Sequence, residues 1–152
     1  MLGRVILFLV INFAALAIGG FFTGAGVSSD WYANLAKAPW TPPGWVFGAA
    51  WTTIMVCFSL YMSFLWSNER QRSKILILFV IQWILNVSWN PVFFYLRQVE
   101  LGMIIITSLT VLIGFLFWTF RKHMSISNLL LAPYFIWLLI ATSLNGYILF
   151  MN

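Results

Sequence analysis

Acidic side chains are nearly missing from this sequence. Asp30, Glu69 and Glu100 are its only three carboxylates, and they are accompanied by one histidine, His123, and one cysteine, Cys57. No paired carboxylates, nucleophile triad or metal-ligand cluster can be assembled from so few groups, so hydrolytic acid–base chemistry and a protein-held metal are not indicated. A single cysteine excludes an intrachain disulfide; Cys57 sits in an apolar run and reads as a small buried hydrophobe. His123 stands beside Arg121 and Lys122 and reads as a solvated loop side chain rather than a haem ligand. Charge of either sign is scarce, at 7% of residues, against roughly 25% in a soluble domain. The formal charge of +5 is scattered between hydrophobic stretches, which argues against nucleic acid as a partner.

What fills the space is apolar: 62% of residues are hydrophobic and 19% aromatic, with nine Trp and fifteen Phe. Water is the wrong solvent for such a chain, and a bilayer must cover most of its surface. Crossing a hydrocarbon core of roughly 30 Å takes about 20 apolar residues at 1.5 Å each. Five segments meet that requirement, at about 5–27, 46–66, 75–96, 102–120 and 129–150. The expected fold is therefore all-α, an integral membrane bundle of five transmembrane helices in one domain over 1–152. The first segment follows Arg4 as a signal peptide would, but it is too long and runs on into a Trp-rich loop, so it is expected to be a retained helix.

No charged residue falls within these spans, which argues against a proton-coupled pump or an exchanger of charged substrates. Five crossings put the chain ends on opposite faces. Arg4, Arg70, Arg72, Lys74, Arg121 and Lys122 then share the N-terminal side, and Lys37 and Arg97 the other. By the positive-inside rule the N-terminus is expected in the cytoplasm and the C-terminus outside.

The 28–43 connection carries Trp31, Tyr32, Pro39, Trp40, Pro42 and Pro43, stiff and apolar enough to pack down as a lid. Thr41 before two prolines reads as the N-cap of the second helix. The other connections are short, which predicts antiparallel neighbours in sequence order. In the third span Gln82, Asn86 and Asn90 recur every four residues, with Trp89 and Phe93 on the same face. Three amides cannot face lipid; they either join helices or line a pocket, and different members can do each. The fifth span aligns Tyr134, Trp137, Ala141, Leu144 and Asn145, where small Ala141 leaves room beside an indole. The second aligns Phe47, Trp51, Met55 and Phe58, for which core packing is the default. By helix rise, Trp51 lies roughly 13 Å, Asn86 roughly 15 Å and Trp137 roughly 20 Å from the C-terminal side. The three stripes thus share the half of the bilayer beneath the connection, which predicts a lidded pocket. Gly20 with Gly24, and Ala15 with Gly19, are small-xxx-small pairs that read equally as a dimer seam or as close packing inside the bundle.

These residues resemble a known family. The signature runs through Trp31-Tyr32, Leu35 and Lys37, then Pro39-Trp40-Thr41-Pro42-Pro43-Gly44-Trp45-Val46-Phe47-Gly48 and Trp51-Thr52. It continues with Gln82, Leu85-Asn86, Trp89, Pro91, Phe93-Phe94 and Arg97-Gln98, and closes with Pro133-Tyr134, Trp137, Ala141-Thr142 and Leu144-Asn145. Together they are similar to the tryptophan-rich sensory protein and translocator protein family, also called the peripheral-type benzodiazepine receptor family, in its bacterial form. The resemblance implies a homodimeric five-helix protein of the bacterial cytoplasmic membrane that contacts lipid and binds planar hydrophobic molecules: porphyrins such as protoporphyrin IX, isoquinoline carboxamide or benzodiazepine-type ligands, and sterols. It implies no covalently held cofactor, porphyrin being ligand or substrate. Carried over by position, the pocket would comprise Tyr32, Pro42, Trp51, Asn86, Trp89, Trp137, Ala141 and Leu144; Lys37 or Arg97, the only two basic residues on the C-terminal side, could then meet a porphyrin's propionates at the mouth. Binding and sensing linked to tetrapyrrole and stress regulation is the first function implied. The alternatives are light- and oxygen-dependent breakdown of protoporphyrin IX, with Trp51 and Trp137 as redox-active indoles, and transport of tetrapyrroles or lipids. Two departures stand out: Ala38 separates the loop lysine from its proline, and no Lys or Arg follows Tyr147 to complete a cholesterol motif.

Overall fold

The computed structural model describes residues 1–152. Four helical stretches are long and apolar enough to cross a membrane: Leu2–Val27, Gly44–Asn68, Arg72–Tyr95 and Val99–Met151. The last doubles back on itself. Helix α5 (Val99–Met124) passes through a tight 3-10 segment, Ser125–Leu131, into α6 (Ala132–Met151). Asn145 reaches the Val99 carbonyl at one end, Thr110 meets Thr142 midway, and Asn128 bonds the Phe117 carbonyl at the other, so α5 and α6 are antiparallel. With α1 (Leu2–Val27), α3 (Gly44–Asn68) and α4 (Arg72–Asn90), the protein is an all-α membrane bundle with five crossings.

Helices α1, α3 and α5 outrun the expected spans and α4 begins before its own, with charged residues in several of the added turns, whereas the fifth span, expected from 129, is α-helical only from Ala132. Arg4, Arg72 and Lys74 sit in first turns, and Arg121, Lys122 and His123 occupy the last turn of α5, where they complement its dipole. His123 is thus helical and exposed, not in a loop. Cys57, expected buried, is half-exposed. Around the bundle, α1 packs against α3 and α4, α3 against α6, α6 against α5, and α5 against α4. The short Glu69–Gln71 link does not make α3 and α4 principal partners. They meet mainly across the core, where Phe58 stacks on Phe79 at 6.1 Å.

Two further expectations are corrected. Helix α3 begins at Gly44 after an extended Pro43, with no side-chain cap. Thr41, held before a proline that disfavours helical backbone, donates its hydroxyl to the Ala38 carbonyl instead. The third span is not one regular helix to residue 96. Pro91 has no N–H to continue the ladder, and Pro91–Tyr95 widens into a π turn closed by Leu96 N–H on the Pro91 carbonyl at 2.9 Å. Arg97, at φ 57°, then ends it.

A continuous core fills the N-terminal half around Phe58, Tyr61, Leu65, Ile113 and Leu116, none above 1% exposed. In the other half the buried apolar cluster shrinks to Phe93, Phe94 and Ile148. The loosening leaves room for a cavity.

Candidate functional site

The connection after α1 is held down over that half. Ser29 caps a short helix α2 (Asp30–Asn34) by accepting the Tyr32 N–H. α2 sets Trp31 against Phe93 at 5.7 Å and Tyr32 against Phe94 at 5.5 Å. Further along, the Trp40 indole donates to the Ser143 hydroxyl at 3.2 Å and packs edge-on to Tyr147, while the Asn152 amide clasps both backbone groups of Ala36. Roof and α6 are thus tied at two points.

Beneath it lies a cavity of about 630 Å³, well inside the range of small-molecule sites. The roof contributes Tyr32, Lys37, Thr41 and Pro42; α3 contributes Phe47, Trp51 and Met55; α4 and the π turn contribute Asn86, Trp89, Asn90, Phe93 and Phe94; and α6 contributes Ala141, Leu144, Asn145 and Ile148. Helix α5 contributes nothing. The π turn matters because its extra residue directs both Phe93 and Phe94 inward, 2% and 8% exposed. Trp89 stacks on Phe93 at 5.0 Å and 15°, forming one broad aromatic surface.

The amide stripe divides its work. Gln82 donates to the Tyr134 hydroxyl at 2.8 Å, and Asn90 accepts from the Thr23 hydroxyl at 2.7 Å, so these two join α4 to α6 and α1. Asn145 accepts the Trp89 indole N–H at 3.1 Å and donates to Val99. Asn86, 7% exposed, has no hydrogen-bond partner within the protein and fronts the cavity. A buried amide left so is costly unless something in the cavity meets it.

Of the residues singled out from sequence, Tyr32, Lys37, Pro42, Trp51, Asn86, Trp89, Ala141 and Leu144 are brought together on this wall. Trp137 and Arg97 are not. Trp137 is 6% exposed and lies behind Phe47, whose ring meets it edge-on at 5.2 Å. Arg97 is exposed and lies over the Trp31 ring at 5.8 Å, outside the cavity. Sequence reasoning missed the contribution of α1: Leu16, Gly19, Gly20, Thr23 and Gly24 all line the space. The only available signal was the glycine spacing. Its two pairs part company here. Gly19 is close packing, since a Cβ there would lie 2.6 Å from the Asn90 amide nitrogen, whereas one at Gly20 or Gly24 would meet nothing within 4 Å.

Lining polarity is modest and one-signed. No carboxylate reaches the cavity, and Lys37 is its one cation, its ammonium 4.7 Å from the Tyr32 ring centroid. Burial pushes the Tyr32 hydroxyl above its ordinary pKa, so it stays a neutral donor.

The sequence profile of the TspO/MBR family matches residues 7–151. The chain is 36% identical over 143 residues to the tryptophan-rich protein TspO of Archaeoglobus fulgidus, covering 91% of this chain and 92% of that protein. It is 31% identical over 138 residues to the tryptophan-rich sensory protein of Cereibacter sphaeroides, covering 90% and 87%. To the translocator protein of Homo sapiens it is 31% identical over 137 residues, covering 83% and 79%.

Proposed function

This chain belongs to the TspO/MBR family, and from that premise we propose that it binds a flat, hydrophobic, carboxylate-bearing ligand of the porphyrin class in the roofed cavity, as a membrane receptor or sensor. The observation that carries this reading is the unpartnered Asn86 amide, set in a space of about 630 Å³ among Trp51, Trp89 and Phe93. Aromatic walls favour a ligand with a π face. An amide and a phenol supply the few directional contacts such sites use, and Lys37 at the roof offers a charge for a propionate. Arg97, turned away onto Trp31, takes no part. The N-terminus lies in the cytoplasm of a bacterial cell on this reading, with the cavity in the outer half of the membrane.

The test is a titration of protoporphyrin IX into the protein in lipid nanodiscs, followed by tryptophan fluorescence in the dark. Saturable quenching that weakens in Asn86→Leu and in Trp51→Ala is the expected result. Wild-type affinity in the double variant overturns it. Repeating the titration under illumination separates a receptor from a porphyrin-degrading enzyme, which would generate a new absorbing product dependent on Trp51 or Trp89.

A further inference from the structure

The fully exposed part of the cavity's lining lies on two helices. Among its lining residues the exposed ones are Gly20, Gly24 and Val27 on α1 and Gly44 and Gly48 on α3; the roof, α4, the π turn and α6 present only buried or half-buried residues. The two helices run antiparallel, with the Asn12 amide bonded to the Ser59 hydroxyl at 2.8 Å. From that bond Gly20 and Gly24 lie about 12 and 18 Å along α1, and Gly48 and Gly44 about 16 and 22 Å along α3, so the pairs face each other to within about one turn.

Nothing in the packing of this chain calls for glycine there. A Cβ at any of the four would meet nothing within 4 Å, and no glycine in the protein has a positive φ. Within a helix, as at Gly20, Gly24 and Gly48, glycine costs about 1 kcal/mol relative to alanine. Their shared property is that they are the exposed glycines lining a space that also holds the buried, unpartnered Asn86. We propose that the α1–α3 seam is a lateral port through which the ligand passes between the cavity and the acyl chains of the leaflet on the C-terminal side, rather than from water beneath the 28–43 connection. This rests on the ligand-binding reading above. It also fits the tied roof, which Trp40–Ser143 and Asn152–Ala36 hold in place.

Gly20→Leu and Gly48→Leu, singly and together in nanodiscs, should slow both association and release of protoporphyrin IX by about tenfold, because a port sets the path in both directions. Trp40→Ala, which frees the roof, should leave both rates as they were. Unchanged rates in the double leucine variant overturn the port while leaving the binding reading intact, which the Asn86→Leu and Trp51→Ala titrations test separately. A shift from dimer to monomer in the same variants with unchanged rates would instead assign the glycines to a subunit contact, and likewise overturns it.

A separate observation lies at the other end of the bundle. A groove of about 220 Å³ between α1, α3 and α4 is lined by Leu7, Ile11, Met62, Trp66 and Leu76 among eight hydrophobic residues and one cation, Arg4. The Arg72 guanidinium lies 5.9 Å from the Trp66 ring centroid. Both α1 and α4 begin at this end with no acidic residue in the first turn, so two positive dipole ends add to Arg4 and Arg72. We further infer that the groove seats one acyl chain of an anionic phospholipid whose phosphate pairs with Arg4 and Arg72. Phosphatidylglycerol with brominated acyl chains should quench the Trp66 component, defined by difference from Trp66→Phe, more than brominated phosphatidylcholine does. Arg4→Gln with Arg72→Gln should abolish that preference. Equal quenching by the two lipids in the wild-type protein, or a preference that survives both substitutions, overturns the assignment.

Discussion

Phe47 stands between the cavity and Trp137. Its ring meets the indole edge-on at 5.2 Å and 87°, and Trp137 is left buried with its N–H unpartnered. The helical stripe 134–137–141–144 spans more of α6 than the cavity does. Ala141 and Leu144 face the cavity, and Trp137 is covered by a side chain from α3. Trp137→Phe is therefore expected to leave porphyrin affinity within about threefold, whereas Trp51→Ala weakens it about 5- to 10-fold through lost stacking. Fluorescence titration of the two variants in parallel decides this.

Asn86 and Gln82, one helical turn apart, should respond oppositely to removal of their amides. Gln82→Leu strands the buried Tyr134 hydroxyl and should cost about 1–3 kcal/mol. Asn86→Leu breaks no bond within the protein, so the unfolding temperature should hold or rise while porphyrin binding weakens about 3- to 10-fold. Thermal scans in detergent beside binding isotherms measure both.

The glycines of α1 offer a similar contrast within one turn and a half. A Cβ at Gly26 would collide with the Phe94 ring, whereas one at Gly20 enters open space. Gly26→Ala should lower the unfolding temperature by displacing the π-turn aromatics. Gly20→Ala should raise it slightly, by up to about 1 kcal/mol of helix propensity.

Glu69 closes the turn into α4 by accepting the Arg70 and Gln71 N–H groups at 2.8 and 3.1 Å. The bond from Gln71 above all, then that from Arg70, holds its carboxyl below the ordinary value of 4.5. A carboxylate with a lowered folded pKa stabilises the turn above its unfolded pKa and ceases to do so as pH falls through the lowered one. Amide protection at Arg70 and Gln71 should therefore drop on acidification below about 4.5, and Glu69→Gln should show no such step. Hydrogen exchange of the two amides resolves it.

Much of this protein is written locally in its chain. The five crossings follow from runs of apolar residues, because membrane insertion sums over about 20 consecutive side chains and needs no partner. The 3.6-residue period likewise brought Trp51, Asn86, Trp89, Ala141 and Leu144 to inward faces, and the aromatic connection to a place above them. Which amide stays free was not local. The Gln82 amide nitrogen is engaged by Tyr134, 52 residues away, its oxygen remaining unpartnered outside the cavity lining, and the Asn90 oxygen by Thr23, 67 residues away, while neither amide atom of Asn86 meets such a partner. The same holds for Phe47 covering Trp137, for the π turn that directs Phe93 and Phe94 inward, and for glycines that leave a seam open between α1 and α3. Periodicity determines which residues share a face. The rotation of each helix against its neighbours decides what that face meets, and only the packed bundle sets that rotation.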